Sequence, residues 1–432
     1  MQNLHKILFA LLLCSAAGLR ADHYVAQNGQ QPEWPFTNMT TAASNIQDAV
    51  NAAVNGAVVW VDDGEYYTPP QATVNLGTNV VSITNAITLR SINGPAAAII
   101  NGGGSNRCVD INVAAASCAF GPAVLDGFTL TNGYSYIRGG GIQVYGYAVG
   151  TGIVQNCVIS GNVIGKATEY AYAGGGGIFS YNSVGFSPVI SNCLVRGNRS
   201  FNLSSLTNVA GGGGLWFRAL GLVVDCTFTE NETENVGGGI YLNVPRSVVD
   251  RCVVVSNTAI ISGGGIYQRG ISMDLRNCLV THNSAPSGSG LFIYSTTVAP
   301  VYNCTFMSNR FQFGSSVLNG DMQNNIIEDM IVSAGTTVTG YNNCLSSMPA
   351  YGEWNNTIVT TNNPGHIGFV DTAAGNFRLI PASPCVNAGA NQLDWLGGAR
   401  DLDRHRRIDR FSGTPDIGCY EYIHSGSLFG LR

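Results

Sequence analysis

The sequence predicts an all-β solenoid, a parallel β-helix of about ten coils with a helical N-terminal cap and a C-terminal capping module. Three observations carry this. Between residues 156 and 309 a Cys is followed five residues later by an Asn, six times over: Cys157/Asn162, Cys193/Asn198, Cys226/Asn231, Cys252/Asn257, Cys278/Asn283 and Cys304/Asn309. The Cys-to-Cys steps are 36, 33, 26, 26 and 26, and self-similarity at such a period marks stacked supersecondary units. Between consecutive Cys lies a glycine cluster running into an apolar, usually aromatic pair: GGGGIF from 174, GGGGLWF from 211, GGGIY from 237 and 263, GSGLF from 288. Each coil of a solenoid needs only its neighbours, so 432 residues fit one body rather than two or three.

In chain order, residues 1–21 read as a secretory leader. Lys6 precedes an apolar run over 7–13, small residues lead to Ala21, and cleavage is expected before Asp22. Residues 22–86 form the N-terminal cap and first strands. Within them 44–54 is the one clear helix: Ile46, Ala49, Val50, Ala53 and Val54 share one face, Ser44 and Gln47 form a capping box, and Gly56 ends it. A helix there shields the open edge of the first coil from pairing with another chain. Residues 87–335 are the repeats, with Gly127 taking the Cys position of the first recognisable one because Asn132 follows five residues on. MQNNII from 322 is one more coil without its Cys, and residues 336–432 form the capping module, in which Phe369, Phe377, Leu379, Ile408 and Ile417 are expected to close the end of the bore.

Strand parity assigns the side chains. Each repeat Cys and the residue two after it (Ile159, Val195, Phe228, Val254, Val280, Phe306) share a face, and that set is uniformly apolar, hence interior. Stacked Cys on parallel strands would sit ~4.8 Å apart with parallel side chains, a poor geometry for a disulfide, so a ladder of buried free thiols is expected. Cys14 leaves with the leader, and eleven cysteines is an odd number. The Asn column can hydrogen-bond to its copies above and below, as Asn ladders do in cross-β stacks. The glycines supply corners with positive φ and close stacking.

With coils, glycine corners and Asn ladders on the page, the chain resembles bacterial right-handed parallel β-helix proteins with polymorphic outer-membrane-protein repeats; FTEN and FMSN are variants of that repeat's FxxN motif. GFVDTAAGNFRLIPASPCVNAG, RDLDRHRRID and PDIGCYEY resemble the choice-of-anchor type Q module of such proteins. The resemblance implies a right-handed coil and a secreted or cell-surface location. A sorting tail or anchor often follows the module in that family; here IHSGSLFGLR follows Tyr422.

Composition excludes several partners. Charged residues are only 11%, the net charge is -5, and Lys6 and Lys166 are the two lysines, which argues against nucleic acid or an anionic membrane. No stretch has the ~18 apolar residues of a membrane-spanning helix. There is no close Cys pair and His is sparse, so no metal and no cofactor are expected. Asp401, Asp403, Asp409 and Asp416 could build a calcium site, but Arg400, Arg404, Arg406 and Arg407 among them favour an Arg–Asp network. A monomer is expected.

Chemistry along the rod is sparse. A glycosidase needs two carboxylates ~5–10 Å apart, and a lyase needs a base and a group to neutralise a uronate. The outward positions of the Cys strands offer Arg196 alone. Asp225, Asp250 and Asp274 sit one, two and four residues before their Cys and form no column. Glu230 and His282 occupy the same turn position two coils apart, roughly 10 Å, and are the catalytic candidates of a polysaccharide lyase or glycoside hydrolase; a solvated turn is the plainer reading. The aromatic column is the binding candidate. Phe179, Trp216, Tyr241, Tyr267 and Phe292 point out of the bore, one per coil, flanked by Tyr145, Tyr181 and Tyr294, with Arg218 and Arg269 on the same face. Such rings suit stacking on sugars or a surface protein; alternatively they stack on one another or lie under the insertions at 163–173 and 199–210. The expected function is an exported, non-catalytic, adhesin-like or glycan-binding protein, with an enzyme and a plain structural spacer as the alternatives.

Overall fold

The computed structural model describes residues 21–67, 78–113, 117–146, 151–165, 173–182, 187–201, 210–243, 247–270, 273–294, 299–314, 320–360, 364–408 and 412–423. The expected leader, 1–21, lies outside them except for Ala21. The chain winds as a right-handed parallel β-helix. Among the described residues one sheet stacks thirteen strands in parallel, from His23–Val25 to Glu353–Asn355. A second sheet carries two parallel ladders: one runs through the Cys strands and the other through the glycine-led strands. A short third sheet stacks Tyr134–Ser135, Val163–Ile164, Arg199–Ser200, Glu232–Thr233 and Thr258–Ala259. Thirteen strands at ~4.8 Å give a stack of about 58 Å.

The bore is filled as period-two reasoning requires. Cys157, Cys193, Cys226, Cys252, Cys278 and Cys304 are buried, as are Ile159, Val195, Phe228, Val254, Val280 and Phe306. All are part of one continuous apolar core. The thiols are free. Each is held by backbone: Cys252 Sγ donates to Asp250 O at 3.4 Å and Val223 O at 3.7 Å, and Cys278 Sγ accepts from Cys252 N at 3.4 Å.

The Asn column is equally regular. Asn162 donates through N and Nδ2 to Asn198 Oδ1, both at 3.0 Å, and the same pair of bonds joins Asn198 to Asn231, Asn231 to Asn257, Asn257 to Asn283 and Asn283 to Asn309. Each Nδ2 also donates to a strand carbonyl of the previous coil, as Asn231 does to Val195 O at 2.9 Å. A primary amide can do this because it offers a donor pair and a two-lone-pair acceptor to identical neighbours.

Four expectations change. The first repeat is shifted by one: Val158 pairs with Thr129, so Phe128 holds the Cys position and Gly127 the corner before it. Asn132 is left-handed, at φ 50°, and Gly133 stands in the ladder, donating to Asn162 Oδ1 at 2.7 Å. The coil expected at MQNNII is present, and the stack runs on past the expected end at 335, because Asn325 and Asn343 replace the thiol. Cys304 N donates to Asn325 Oδ1 at 2.9 Å, and Asn325 N to Asn343 Oδ1 at 2.9 Å. The helix is Ile46–Ala52, capped by Asn45, whose Oδ1 accepts from Asp48 N at 2.9 Å. That shift frees Gln47, whose amide accepts from Ser82 N at 2.7 Å and donates to Ser82 O at 3.2 Å, pairing an open strand edge.

The fourth change concerns the C-terminal module. Its first part still coils on the stack, where Trp354, half-buried over Gly340, packs against the end of the core, and its later part does not plug the bore. Phe377, Leu379, Ile417 and Phe369 instead lie on the flank of the rod, against the outward Leu279, Met307, Ile326 and Cys344. Ile408 is half-buried and outside this cluster. Cys419 N donates to Thr305 Oγ1 at 3.1 Å and Gly418 N to Asn324 O at 2.7 Å, so backbone as well as apolar surface fixes the docking. Burying each such side chain contributes roughly 1.5–3 kcal/mol.

Candidate functional site

Each glycine corner delivers a strand whose first residue points into the bore and whose second points out. Parallel pairing sets Phe179, Trp216, Tyr241, Tyr267 and Phe292 in register on consecutive coils. Their rings stack with centroids 4.5, 5.7, 5.6 and 5.5 Å apart and planes within 23° of parallel. The glycines make room for this. A Cβ on Gly174 would lie 2.0 Å from Gly211 O and 2.8 Å from Trp216 Cδ1.

The rings lie outside the bore, as parity requires, yet they do not face solvent. Phe179, Trp216 and Tyr241 are 0% exposed, Tyr267 is 2% exposed, and only Phe292 is half-buried. In-register stacking covers each ring face with the next ring. Val236 packs into the same cluster, and the guanidinium of Arg138 lies 5.2 Å from the Phe179 ring. Burial pushes the Tyr267 hydroxyl up to about 12, against the pull of Arg269. Phe179, Trp216, Tyr241 and Tyr267 therefore cannot act as a platform for sugar rings without first being uncovered. Most of the insertions expected to cover them, 166–172 and 202–209, lie outside the described residues.

Two residues further along the same strands runs a second column. Tyr145 pairs with Tyr181, Tyr181 with Arg218, and Arg269 with Tyr294; Asn243 follows Leu242, whose partner is Gln268, and so sits beside Arg269. All but Tyr294 are half-buried, and Tyr294 is 40% exposed. Tyr145 and Tyr181 stack at 5.3 Å, and the Arg218 guanidinium lies 5.4 Å from the Tyr181 ring. Six positions at the strand spacing span about 24 Å. The stripe thus combines three rings, two guanidinium groups and an amide on a stiff support, and its own positions carry no carboxylate. Asp110 heads the adjacent column beside Gln143, its carboxyl pushed up by burial against the pull of Arg107.

The catalytic candidates stand as the spacing predicts, at the same corner two coils apart. Glu230 and His282 are exposed corner residues with φ of 56° and 55°, and Ser256 stands between them. His282 Nδ1 bonds its neighbour Thr281 Oγ1 at 2.8 Å. Gly161 and Gly197 fill the same left-handed corner in earlier coils, so the position selects for backbone shape. Asp225 and Asp250 are both held by Arg251, at 2.8 and 2.5 Å, and Asp274 pairs with Arg276. The Asp225 pair forms because Arg251 stands one coil on from it, and the other two lie within single segments.

In the C-terminal module the acidic residues are likewise engaged. Asp401 accepts from His405 N at 2.6 Å and Glu421 N at 2.8 Å, and Asp416 accepts from Asn387 N at 2.6 Å. Asp403 takes Arg378 through both oxygens at 2.6 Å. Asp401, Asp403 and His405 bring ligand atoms within 4.8 Å of one another, but the two carboxylates already have these partners. Asp409 lies outside the described residues. Arg407, fully buried, meets Glu421 at 3.0 Å and donates to the carbonyls of Asp416 and Gly418.

No family model matches the chain, and no curated protein matches it. Among solved structures it is similar to pectate lyase Pel9A, with a TM-score of 0.49, 14% identity, and coverage of 94% of this chain and 98% of that one. The class its own strand pairing defines is the right-handed parallel β-helix. No helix among the described residues is long and apolar enough to cross a membrane.

Proposed function

We propose that the protein is an exported, non-catalytic β-helix that binds an acidic polysaccharide along the stripe from Tyr145 to Tyr294. The observation that carries this is one column of partly exposed side chains in which Tyr145, Tyr181 and Tyr294 flank Arg218 and Arg269. Tyrosine rings offer apolar faces to sugar rings, and guanidinium groups hold carboxylates or sulfates in bidentate fashion. The buried ring stack beneath keeps the strands from shifting, so the contact groups are pre-organised. The leader-like segment at 1–21 supports export. Catalysis is disfavoured because Glu230 and His282 are exposed corner residues whose position Gly161 and Gly197 fill in other coils.

A glycan array of neutral, uronate and sulfated oligosaccharides, followed by a screen for unsaturated or reducing ends, tests the proposal. Binding to acidic chains without turnover is the expected result. Tyr181→Ala and Arg218→Ala should each weaken that binding about tenfold, the loss of about 1.4 kcal/mol. Turnover lost in Glu230→Gln or His282→Ala would replace the proposal with a lyase or hydrolase. Absence of any binding would leave a structural spacer.

A further inference from the structure

We infer that Cys344 and Cys385 form a disulfide that staples the C-terminal module to the flank of the rod. Both residues are 0% exposed and lie in the apolar cluster between module and rod. Cys344 is in the strand Cys344–Leu345, in register with the outward Ile326, so its side chain faces the module rather than the bore. The segment carrying Cys385 is clamped onto the same coils by two corner asparagines. Asn342 Nδ2 donates to Ala388 O at 3.0 Å; Asn324 donates to Ala390 O at 2.9 Å and accepts from Ala390 N at 2.7 Å. With the two backbones fixed in this way, Cys344 and Cys385 are neighbours within one buried cluster, and the Cys344 thiol acts directly on the Cys385 thiol.

The pair differs from the repeat ladder. Ladder thiols project side by side from parallel strands and are occupied by strand carbonyls. Cys344 and Cys385 approach from two separate segments across an interface, the arrangement a disulfide can bridge. Cys419, the third thiol of the interface, lies beside Thr305 instead.

The neighbouring Cys344 thiol and burial push the Cys385 thiol far up, so the docked, reduced pair is inert and the bond must form while the module is docking. Oxidation removes two protons and two electrons from the thiols and needs a disulfide-type acceptor, which is reduced to two thiols in return. In the cell this requires an oxidising compartment and so rests on the export reading. A refolding experiment does not.

The test refolds the reduced full-length mature chain in a mixture of oxidised and reduced glutathione, alkylates it under denaturing conditions, and maps peptides by mass spectrometry. The expected result is two fewer alkylated cysteines before reduction than after, with a peptide joining Cys344 to Cys385. Cys344→Ser or Cys385→Ser should abolish the difference, and Cys419→Ser should retain it. Reductant added to the bonded protein should speed proteolytic release of residues 364–423. Equal alkylation before and after reduction, or a linkage between any other pair, would overturn the inference.

Discussion

The coil stack and the C-terminal module lie side by side and are held by opposite means. Between Asn162 and Asn309 the polar interior is neutral: one amide, repeated, satisfies the amide before it and a strand carbonyl. The module is built once and uses charge. Arg407 and Glu421 are buried as a pair, and Asp401 and Asp416 cap turns around them. Repetition lets a neutral group find an identical partner at every level. A single-copy domain has no such partner, and buried ion pairs, which add little net stability, can serve a unique docking geometry instead.

The contrast can be broken first in the ladder. Asn231→Ala removes the acceptor of two donors on Asn198 and the donor to Val195 O, and leaves Asn257 Oδ1 with only the backbone N–H of residue 231. At 1–3 kcal/mol per orphaned buried group, a loss of about 4 kcal/mol is expected, read as a lowered midpoint in urea unfolding of the whole rod.

The module should answer to pH where the ladder does not. Burial raises the Glu421 carboxyl well above its ordinary 4.5, outweighing the facing Arg407. A folded-state pKa above the unfolded value means that the folded state holds the proton more tightly. Its stabilising contribution is complete below 4.5 and is lost as pH rises through the folded value, at up to about 1.4 kcal/mol per pH unit. Hydrogen exchange over residues 364–423 should therefore quicken with pH beyond its intrinsic dependence. Glu421→Gln should flatten that excess and leave exchange in the coils unchanged; an unaltered slope would remove the carboxyl from the account.

The smallest effect is expected at the corners. Glu230 pays the steric cost of a left-handed backbone that Gly161 and Gly197 avoid. Glu230→Gly should raise stability by about 0.5 kcal/mol after the glycine's greater unfolded entropy is subtracted, measurable as a small rise in Tm.

These regions also differed in how far they could be read from residues alone. The Cys and Asn columns were legible because identical spacing leaves one register. The same counting misplaced Gly127 by one residue, since Asn132 mimics a ladder Asn while occupying the corner before it. It found the coil at MQNNII but not that the Asn325 amide replaces the thiol there, and it placed Asn343 in the module. Parity placed Phe179, Trp216, Tyr241, Tyr267 and Phe292 outside the bore but carries no information on what lies above them. The flank docking was hidden because Leu279, Met307 and Ile326 alternate with threonines like any outer strand face. Only the partner distinguishes a half-exposed apolar column from a covered one.

The ring stack has a spectroscopic consequence. Trp216 sits between Phe179 and Tyr241, with Tyr267 and Phe292 beyond, all near-parallel. Light absorbed by the stacked tyrosines will pass to this one indole, whose buried setting shifts its emission to the blue. Trp354 marks the end of the rod and Trp395, beside Tyr302 and Arg276, marks the module. The chain thus carries separate optical reporters for its middle, its end and its flank, and the order in which they redden on unfolding would give the order in which those parts come apart.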